Sequence, residues 1–205
     1  MTATDGGAPA TGARRRDAAA TRRALLDAAS GRFVRLGYDR TTLRDVAADV
    51  GVNLALIKRY FGSKEGLFKA ALAATPRFLG RDGEFPRDRA GLAEALGRQL
   101  SAGAWPEFGE HPVLMLLRAS GDERVDGLRR RALLDFSRQV LDASGTERGD
   151  EAGLLRAELL VALGVGVAVI RSTVGLAPLR DASPQDLAEP LRDVVEALLG
   201  PPRGE

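Results

Sequence analysis

Residues 41–68 read TTLRDVAADVGVNLALIKRYFGSKEGLF, and their turn residues divide the stretch into short helices. Thr42 and Asp45 have the spacing of a capping box, which starts a helix by satisfying its free N–H groups. Gly51 ends that helix, because glycine adopts the positive φ of a tight turn without a steric penalty. Asn53 is a favoured N-cap for a second helix. The stretch therefore predicts two short helices joined by a turn at Gly51.

The second helix, predicted from Leu54 to Phe61, opens with small apolar side chains and continues with basic ones. Two helices joined by a turn, the second short and basic, have the layout of a helix-turn-helix. The major groove of DNA admits one helix, and small apolar groups at its tip allow close approach and contact with thymine methyl groups. Ile57 and Phe61, four apart, are expected to face the core. The alternative is that all the apolar residues are core and the basic residues form a solvated face.

Further helices flank this pair. Residues 17–36 carry apolar side chains at helical spacing and precede Gly37, a favoured helix end. Ser63 is expected to cap the helix that follows the pair. Residues 1–16 lack periodicity and are expected to form a disordered basic arm. Its arginines, Arg14 to Arg16, either enter a narrow minor groove or attract phosphates without specificity.

Charge is unevenly distributed although the net charge is only +2. Residues 14–72 contain 13 basic and 6 acidic residues, a net +7, whereas the rest of the chain contains 17 and 22, a net −5. A basic segment on an acidic body indicates a local site for a polyanion. Chance clustering is the alternative that charge alone leaves open.

The rest of the chain is also predicted to be helical. Residues 80–87 have the composition of a linker, and loops containing proline and glycine separate the apolar segments that follow. We find no alternating pattern typical of strands, so an all-α protein is expected. The predicted C-terminal helices are 88–103, 111–119, 123–143, 151–175 and 184–199.

The residue inventory disfavours several classes of function. The chain has no cysteine and one histidine, His111, which excludes thiolate chemistry and a histidine-rich metal site. It has no G-x-S-x-G motif and no P-loop, and residues 164–169 (GVGVAV) lack the third glycine of a dinucleotide fingerprint. We therefore expect no enzymatic activity, no cofactor and no metal. His111 precedes Pro112 at a predicted helix start and is interpreted as local structure.

The sequence pattern also bears on location. The N-terminal residues lack the apolar core of a signal peptide. The longest apolar run, Leu159 to Ile170, has 12 residues, and a membrane-spanning helix needs about 20. That run is interpreted as a buried helix, and a cytoplasmic protein without a membrane partner is expected.

Residues 18–78 resemble the DNA-binding domain of the TetR family of bacterial transcriptional regulators. The resemblance rests on LLDAASGRFVRLGYDRTTLRDVAADVGV followed by ALIKRYFGSKEGLF. It implies that residues 17–78 form a three-helix helix-turn-helix DNA-binding domain, and that residues 79–205 form a helical domain for effector binding and dimerisation. The matching positions are Phe33, Gly37, Tyr38, Thr42, Val46, Ala47, Gly51, Val52, Tyr60, Phe61, Ser63, Lys64 and Glu65.

The resemblance also implies which side chains contact DNA. Lys64 matches a common phosphate contact, and Thr42 and Arg44 match the first helix of the motif. Lys58 departs from the family pattern, which usually has tyrosine there, so the helix is expected to read different bases or to replace an aromatic contact with a charge. The expected DNA-contacting residues are Thr42, Arg44, Asn53, Leu54, Ala55, Leu56, Lys58, Tyr60 and Lys64.

The C-terminal half gives two further expectations. The segment from Leu159 to Ile170 is apolar nearly all round, so its helix is expected to be buried on most sides. In TetR-like proteins the last two long helices pair with their copies, which implies a homodimer through helices near 151–175 and 184–199; packing within one chain is the alternative. Large apolar side chains fall where the family forms an effector cavity, with ordinary core packing as the alternative. The candidate ligand-contacting residues are Phe78, Trp105, Phe108, Met115 and Phe136.

The expected function is a ligand-responsive repressor. It would bind a palindromic double-stranded DNA operator as a homodimer and be released by a small apolar molecule. A transcriptional activator on the same scaffold is one alternative. Another is an all-α protein–protein interaction module whose helix-turn-helix no longer binds DNA.

Overall fold

The computed structural model describes residues 10–74, 85–101, 111–118, 120–145 and 151–201. These residues form nine α-helices and contain no strand, which confirms the predicted all-α class. The helices are α1 Ala10–Arg40, α2 Leu43–Val50, α3 Leu54–Phe61, α4 Lys64–Ala74, α5 Arg89–Ser101, α6 Leu114–Leu117, α7 Glu123–Ala143, α8 Glu151–Val169 and α9 Pro184–Leu199, and a turn of π-helix, Ile170–Val174, extends α8.

Helix α1 starts earlier than the sequence pattern predicts. Residues 10–16, assigned above to a disordered arm, form its first turns, and residues 1–9 lie outside the described residues. Alanine and arginine dominate this segment and have high helix propensity, so local preference outweighs the missing apolar periodicity. Near the other end of α1, Gly37 leaves the helical conformation, with φ 79° and ψ 174°, in agreement with its predicted role as a helix end.

The turn residues around α2 and α3 act as the sequence predicts. The Thr42 hydroxyl caps α2 by accepting a hydrogen bond from the N–H of Asp45 at 3.2 Å, and it donates to the Asp45 carboxylate at 2.7 Å. Gly51 follows α2 in the left-handed region, with φ 69°. Asn53 caps α3 by accepting a hydrogen bond from the N–H of Ala55 at 2.8 Å. The path of the chain through this motif is therefore set by local contacts.

The N-terminal helices pack around one apolar core, in which α1 contacts α2 and α4. The ring of Phe68 meets two aromatic neighbours from α1 edge to face. Its centre lies 4.9 Å from the ring centre of Phe33 and 5.1 Å from that of Tyr38. Such pairs add to the stabilisation that apolar burial provides. The buried core residues of α1 to α4 are Leu25, Leu26, Ala29, Phe33, Val34, Val46, Ala47, Ile57, Leu67, Phe68, Ala71 and Leu72.

The C-terminal helices form a second core. Helix α5 packs mainly against α9, and α8 packs against α7 and α9. Helices α7 and α9 have the predicted bounds. Ser183 begins α9 with a complete capping box: its hydroxyl accepts a hydrogen bond from the Asp186 N–H, and the Asp186 carboxylate accepts one from the Ser183 N–H. Local capping and apolar periodicity therefore explain most of the helix ends in this half.

Helix α6 is shorter than the predicted helix 111–119 and joins the two cores. It ends at Leu117, because Arg118 adopts an extended conformation with φ −75° and ψ 100°. The Arg118 guanidinium donates to the carbonyl oxygen of Arg35 in α1 at 2.5 Å. Within α6, Met115 is buried in the core of the N-terminal helices, together with Val125 of α7. The short helix is thus a structural link between the two halves of the chain.

Helix α8 is less buried than its composition predicts. Its buried residues are Gly153, Ala157, Leu160 and Ala168. The prediction that this helix is buried on most sides is wrong for a single chain, because Leu155, Leu159 and Leu163 remain exposed. On length and composition alone, Glu151–Val174 is also the one span among the described residues that could cross a membrane. Apolar helices at the core or interfaces of soluble proteins have the same composition.

Candidate nucleic-acid interface and apolar cavity

The exposed face of α3 carries the basic residues of the motif. Ala55, Lys58 and Arg59 are exposed, and they share one side of the helix because residues three and four apart are neighbours. Ile57 points to the opposite side and is fully buried. The helix therefore presents two cationic side chains around one small apolar side chain.

Three predicted DNA contacts lie at the edges of this face rather than at its centre. Leu54, Leu56 and Tyr60 are half-buried and pack against the N-terminal core. Arg59 is exposed on this face, beside Ala55, but it is not among the contacts expected from the sequence. Its position four residues after Ala55 is the sequence signal that would have identified it.

Helix α3 is held in place by its neighbours. Gly66 allows the start of α4 to lie close to the end of α3, because a Cβ at this position would collide with the carbonyl oxygen of Phe61. From α1, the Arg22 guanidinium lies over the Phe61 ring, 5.0 Å from its centre. The C-terminal end of α3 is therefore fixed by both α1 and α4.

A pair of ionic contacts fixes α2 on α1. The Arg32 guanidinium donates two hydrogen bonds to the Asp49 carboxylate, with N–O distances of 2.5 and 2.7 Å, and lies 3.7 Å from the Asp45 carboxylate. This two-point pairing restricts orientation as well as distance. Hydrogen bonding to Arg32 holds the pKa of Asp49 below its ordinary value. Both acidic side chains of α2 are thus paired with a cation from within the protein.

The predicted contacts outside α3 have different environments. Thr42, Arg44 and Asn53 are exposed at the helix starts. Lys64 is partly buried: its ammonium lies 4.3 Å from the centre of the Tyr38 ring and 3.3 Å from a backbone carbonyl oxygen. Burial lowers the pKa of Lys64. Because an ammonium has three donors, a phosphate contact remains compatible with these two interactions.

An apolar cavity lies where α4 to α8 converge. Its volume is about 50 Å³, which is smaller than the roughly 150 Å³ of a well-studied engineered cavity that binds benzene. A larger ligand therefore requires the walls to move. The lining residues are Leu72, Leu92, Leu96, Gln99, Leu100, Val113, Leu116, Ala132, Leu133, Phe136, Val140, Leu160, Val161, Gly164 and Val165.

The predicted ligand contacts fall in three places. Phe136 lines the cavity. Met115 packs in the N-terminal core and is not on the cavity wall. Phe78, Trp105 and Phe108 lie outside the described residues. Sequence reasoning missed Gln99, because one amide in an amphipathic helix carries no signal until the fold places it among apolar side chains.

His111 lies at the start of the segment that leads into α6. It is 7% exposed, and its Nδ1 accepts a hydrogen bond from the N–H of Val113 at 3.3 Å. Burial lowers the pKa of His111 to about 4, so the imidazole is neutral at physiological pH. The described ranges contain no group of three histidine or acidic residues that could hold a metal ion.

Comparison with family models covers both halves of the chain. A model described as bacterial regulatory proteins, tetR family, matches residues 25–71. A second, described as tetracyclin repressor-like, C-terminal domain, matches residues 88–199, more than half of the chain. The chain belongs to the TetR family. As a TetR-family member it is a DNA-binding transcriptional regulator, with α2 and α3 as its helix-turn-helix.

Solved structures of other proteins share the fold. A TetR transcriptional regulator from Rhodococcus sp. RHA1 is 25% identical with a TM-score of 0.56, over 92% of this chain and 100% of that one. A putative TetR-family transcriptional regulator from Rhodococcus sp. is 20% identical with a TM-score of 0.59, over 88% and 99%. The multidrug binding protein EbrR, complexed with imidazole, is 22% identical with a TM-score of 0.56, over 89% and 92%. A comparison with curated proteins gave no match.

Proposed function

We propose that this chain is a ligand-responsive repressor that binds a palindromic operator as a homodimer. The observation that carries the proposal is the exposed face of α3, where Lys58 and Arg59 flank Ala55. A single helix fits the major groove, and cationic side chains suit guanine edges and phosphates. The acidic residues of α2 do not oppose this contact, because Asp49 is paired with Arg32.

In this proposal residues 17–78 bind DNA, and residues 79–205 bind the effector and dimerise. The DNA contacts are those expected from the sequence, with Arg59 added. The two basic side chains of α3 reach base edges or nearby phosphates. Thr42, Arg44 and Lys64 contact the DNA backbone and so position the helix without reading sequence.

A second copy of the chain covers the exposed apolar face of α8. Leu155, Leu159 and Leu163 repeat every four residues and are 56%, 51% and 39% exposed. Helix α9 packs beside α8 and adds the half-buried Val194 and Leu198. A contiguous exposed apolar surface is typical of an interaction site. In a two-fold dimer, the two copies of α3 would read half-sites about 34–36 Å apart.

The apolar cavity is the proposed effector site. Its described wall is apolar apart from one amide, so an apolar ligand is favoured. Small-molecule sites usually measure about 300–1,000 Å³, and this cavity is much smaller. Binding therefore needs an outward movement of the surrounding helices, and that movement is what would couple the ligand to DNA.

Two wall residues connect the cavity to the DNA-binding domain. Leu72 of α4 and Leu116 of α6 line the cavity and also pack in the N-terminal core. Met115, next to Leu116, is buried in that core as well. A ligand that displaces this wall would change the packing of α4, which supports α3. The ligand binds the conformation with the displaced wall more tightly than the original one. The ratio of these two affinities sets how far DNA affinity can fall.

The alternatives differ in measurable ways. An activator would bind the same DNA but raise transcription in a reporter assay. A protein–protein module would show no salt-dependent binding to duplex DNA. Titration of the wild-type protein with genomic duplex fragments at several salt concentrations therefore tests the proposal. We place the protein in the cytoplasm with its DNA and assign the apolar face of α8 to the dimer rather than to a membrane.

A further inference from the structure

Gln99 of α5 is the one polar side chain on the described wall of the cavity. It is 5% exposed, and its Nε2 has no hydrogen-bond partner. No other buried side-chain nitrogen or oxygen in the described part of the chain lacks one. The side chain is therefore an exception to the rule that buried polar groups are paired.

Packing within the chain does not account for this amide. An unpaired buried amide destabilises a fold, and an apolar side chain of the same length would fill the same space without that penalty. The neighbouring wall residues on α5, Leu96 and Leu100, are apolar. Nε2 thus has a structural cost and no partner within the protein, which is typical of a group that meets its partner only in a complex.

A buried water molecule is a poor candidate for that partner. Buried waters usually make about three hydrogen bonds to protein groups. The side chains on the described wall offer such a water only the Gln99 amide. A molecule that is itself mostly apolar suits the wall better, because it needs one hydrogen bond rather than three.

We propose that the effector is a neutral, largely apolar molecule carrying an oxygen that accepts a hydrogen bond from Nε2 of Gln99. This inference rests on the proposed function, because it takes the cavity as the effector site. A ketone, ester or ether oxygen fits this role. A charged group does not, because the described wall has no charged side chain to pair with it and an unpaired charge in an apolar site is strongly disfavoured.

The same amide gives the site its selectivity. A site with a buried hydrogen-bonding group rejects analogues that lack the matching atom, because the group then stays unpaired. An analogue that replaces the oxygen with a methylene therefore binds less well than its hydrophobicity predicts. A cavity that binds ligands only through apolar contacts would not discriminate against such an analogue.

Acetophenone and ethylbenzene are a suitable pair of probes, since they differ only at the carbonyl oxygen. Their dissociation constants are measured by titration calorimetry on the full-length wild type, on Gln99→Met and on Leu100→Met. The ratio of the two constants is compared between the proteins, because the difference in hydrophobicity between the probes is the same in each protein and cancels in that comparison. Leu100→Met is the matched control, because it changes an apolar wall residue on the same helix.

We expect Gln99→Met to shift that ratio about tenfold in favour of ethylbenzene, the effect of one lost hydrogen bond. Leu100→Met should leave the ratio unchanged. Gln99→Met should also raise the midpoint of thermal unfolding by roughly 2–4 °C, because it removes a buried Nε2 that has no hydrogen-bond partner. A purely structural role for Gln99 predicts a lower midpoint instead.

Two results would overturn the inference. If both probes bind and the ratio is the same in wild type and Gln99→Met, Gln99 does not recognise the ligand, although the cavity can still be the effector site. If neither probe binds the wild type, the inference fails together with the proposed effector site.

Discussion

The Arg129 guanidinium lies over the ring of Phe68, 5.1 Å from its centre. Arg129 belongs to α7 and Phe68 to α4, so this contact joins the C-terminal domain to the core of the DNA-binding domain. Arg129 is 5% exposed. Its Nε donates to the carbonyl oxygen of Met115 at 3.0 Å, and it also pairs with Asp126. One buried side chain thus links α4, α6 and α7.

We predict that Arg129→Met lowers the free energy of unfolding by about 2 kcal/mol, because the Met115 carbonyl and the Phe68 ring lose a buried partner. The control is Arg130→Met, whose side chain is 64% exposed on the same helix and should change stability by less than about 0.5 kcal/mol. Urea unfolding measures both. Equal stability of the two variants would show that the link between the domains does not depend on Arg129.

The proposed dimer predicts the effect of a charge on α8. Leu159→Arg should dissociate the protein into monomers at micromolar concentration, because two-fold symmetry would bury the charge unpaired in each copy. Leu117→Arg is the matched control, since Leu117 is 48% exposed but lies on α6, outside the proposed interface. Sedimentation gives the oligomeric state. A dimer that survives Leu159→Arg would place the interface elsewhere.

The cavity predicts a difference between two glycine substitutions. Gly164→Ala adds a Cβ that meets Leu96 at an ordinary 3.6 Å on the cavity wall, whereas the Cβ of Gly127→Ala in α7 meets only arginine side-chain ends. Both should gain up to about 1 kcal/mol of stability from helix propensity. Only Gly164→Ala should weaken acetophenone binding, measured by calorimetry. Equal weakening in both variants would mean that the probe does not occupy this cavity.

Stability should depend on pH through His111. Burial holds the pKa of its imidazole near 4 in the folded state, against about 6.5 in the unfolded chain. Between these values the unfolded chain binds more protons, so stability falls as pH drops from about 6.5 to 4, by on the order of 3 kcal/mol. Asp49 contributes at more acid pH, because its pKa is lowered in the folded state. Stability falls further there as the Asp49 carboxylate is protonated.

Urea unfolding between pH 4 and 7 measures this dependence. His111→Asn cannot take up a proton in this range, and its side-chain oxygen can accept a hydrogen bond as Nδ1 does. The variant should therefore lose most of the slope between pH 4 and 6.5. A slope equal to that of the wild type would assign the titration to another group.

Much of the DNA-binding motif could be predicted because its determinants are local. Thr42, Gly51 and Asn53 act on backbone groups two to four residues away, a range that sequence patterns report directly. The start of α1 at Ala10 was not predicted, because no capping side chain or apolar periodicity marks it and the helix forms there on propensity alone. Sequence therefore predicts helix starts best where a capping side chain marks them.

Features that depend on distant contacts could not be predicted. Helix α8 is apolar nearly all round, so periodicity cannot show that Leu159 is exposed while Val165 lines the cavity. Lys64 rests on the ring of Tyr38, 26 positions earlier in the chain. Nε2 of Gln99 is buried without a partner only because α5 packs with other helices around the cavity. Each of these features depends on tertiary packing, for which a single sequence carries little signal.

The DNA interface predicts distinct roles for its lysines. Lys64→Ala should weaken binding about equally for all duplexes and lower the salt slope by about one unit, because it removes one phosphate contact. Lys58→Ala should instead relax discrimination at one base pair by roughly 1–3 kcal/mol if it reads guanine. Arg98→Ala is the control, because the Arg98 side chain on α5 is 58% exposed, and it should change neither. Binding titrations over a salt series distinguish these effects.

Whether α3 reads DNA is best tested by selecting bound genomic fragments with the wild type and with the double variant Lys58→Ala/Arg59→Ala. We expect the wild type to enrich fragments sharing a palindrome, with half-site centres about 10–10.5 base pairs apart or a multiple of this. The double variant should lose that enrichment while remaining a folded dimer. Enrichment of the same fragments by both proteins, or of none by the wild type, would contradict the assignment of α3 as the helix that reads DNA.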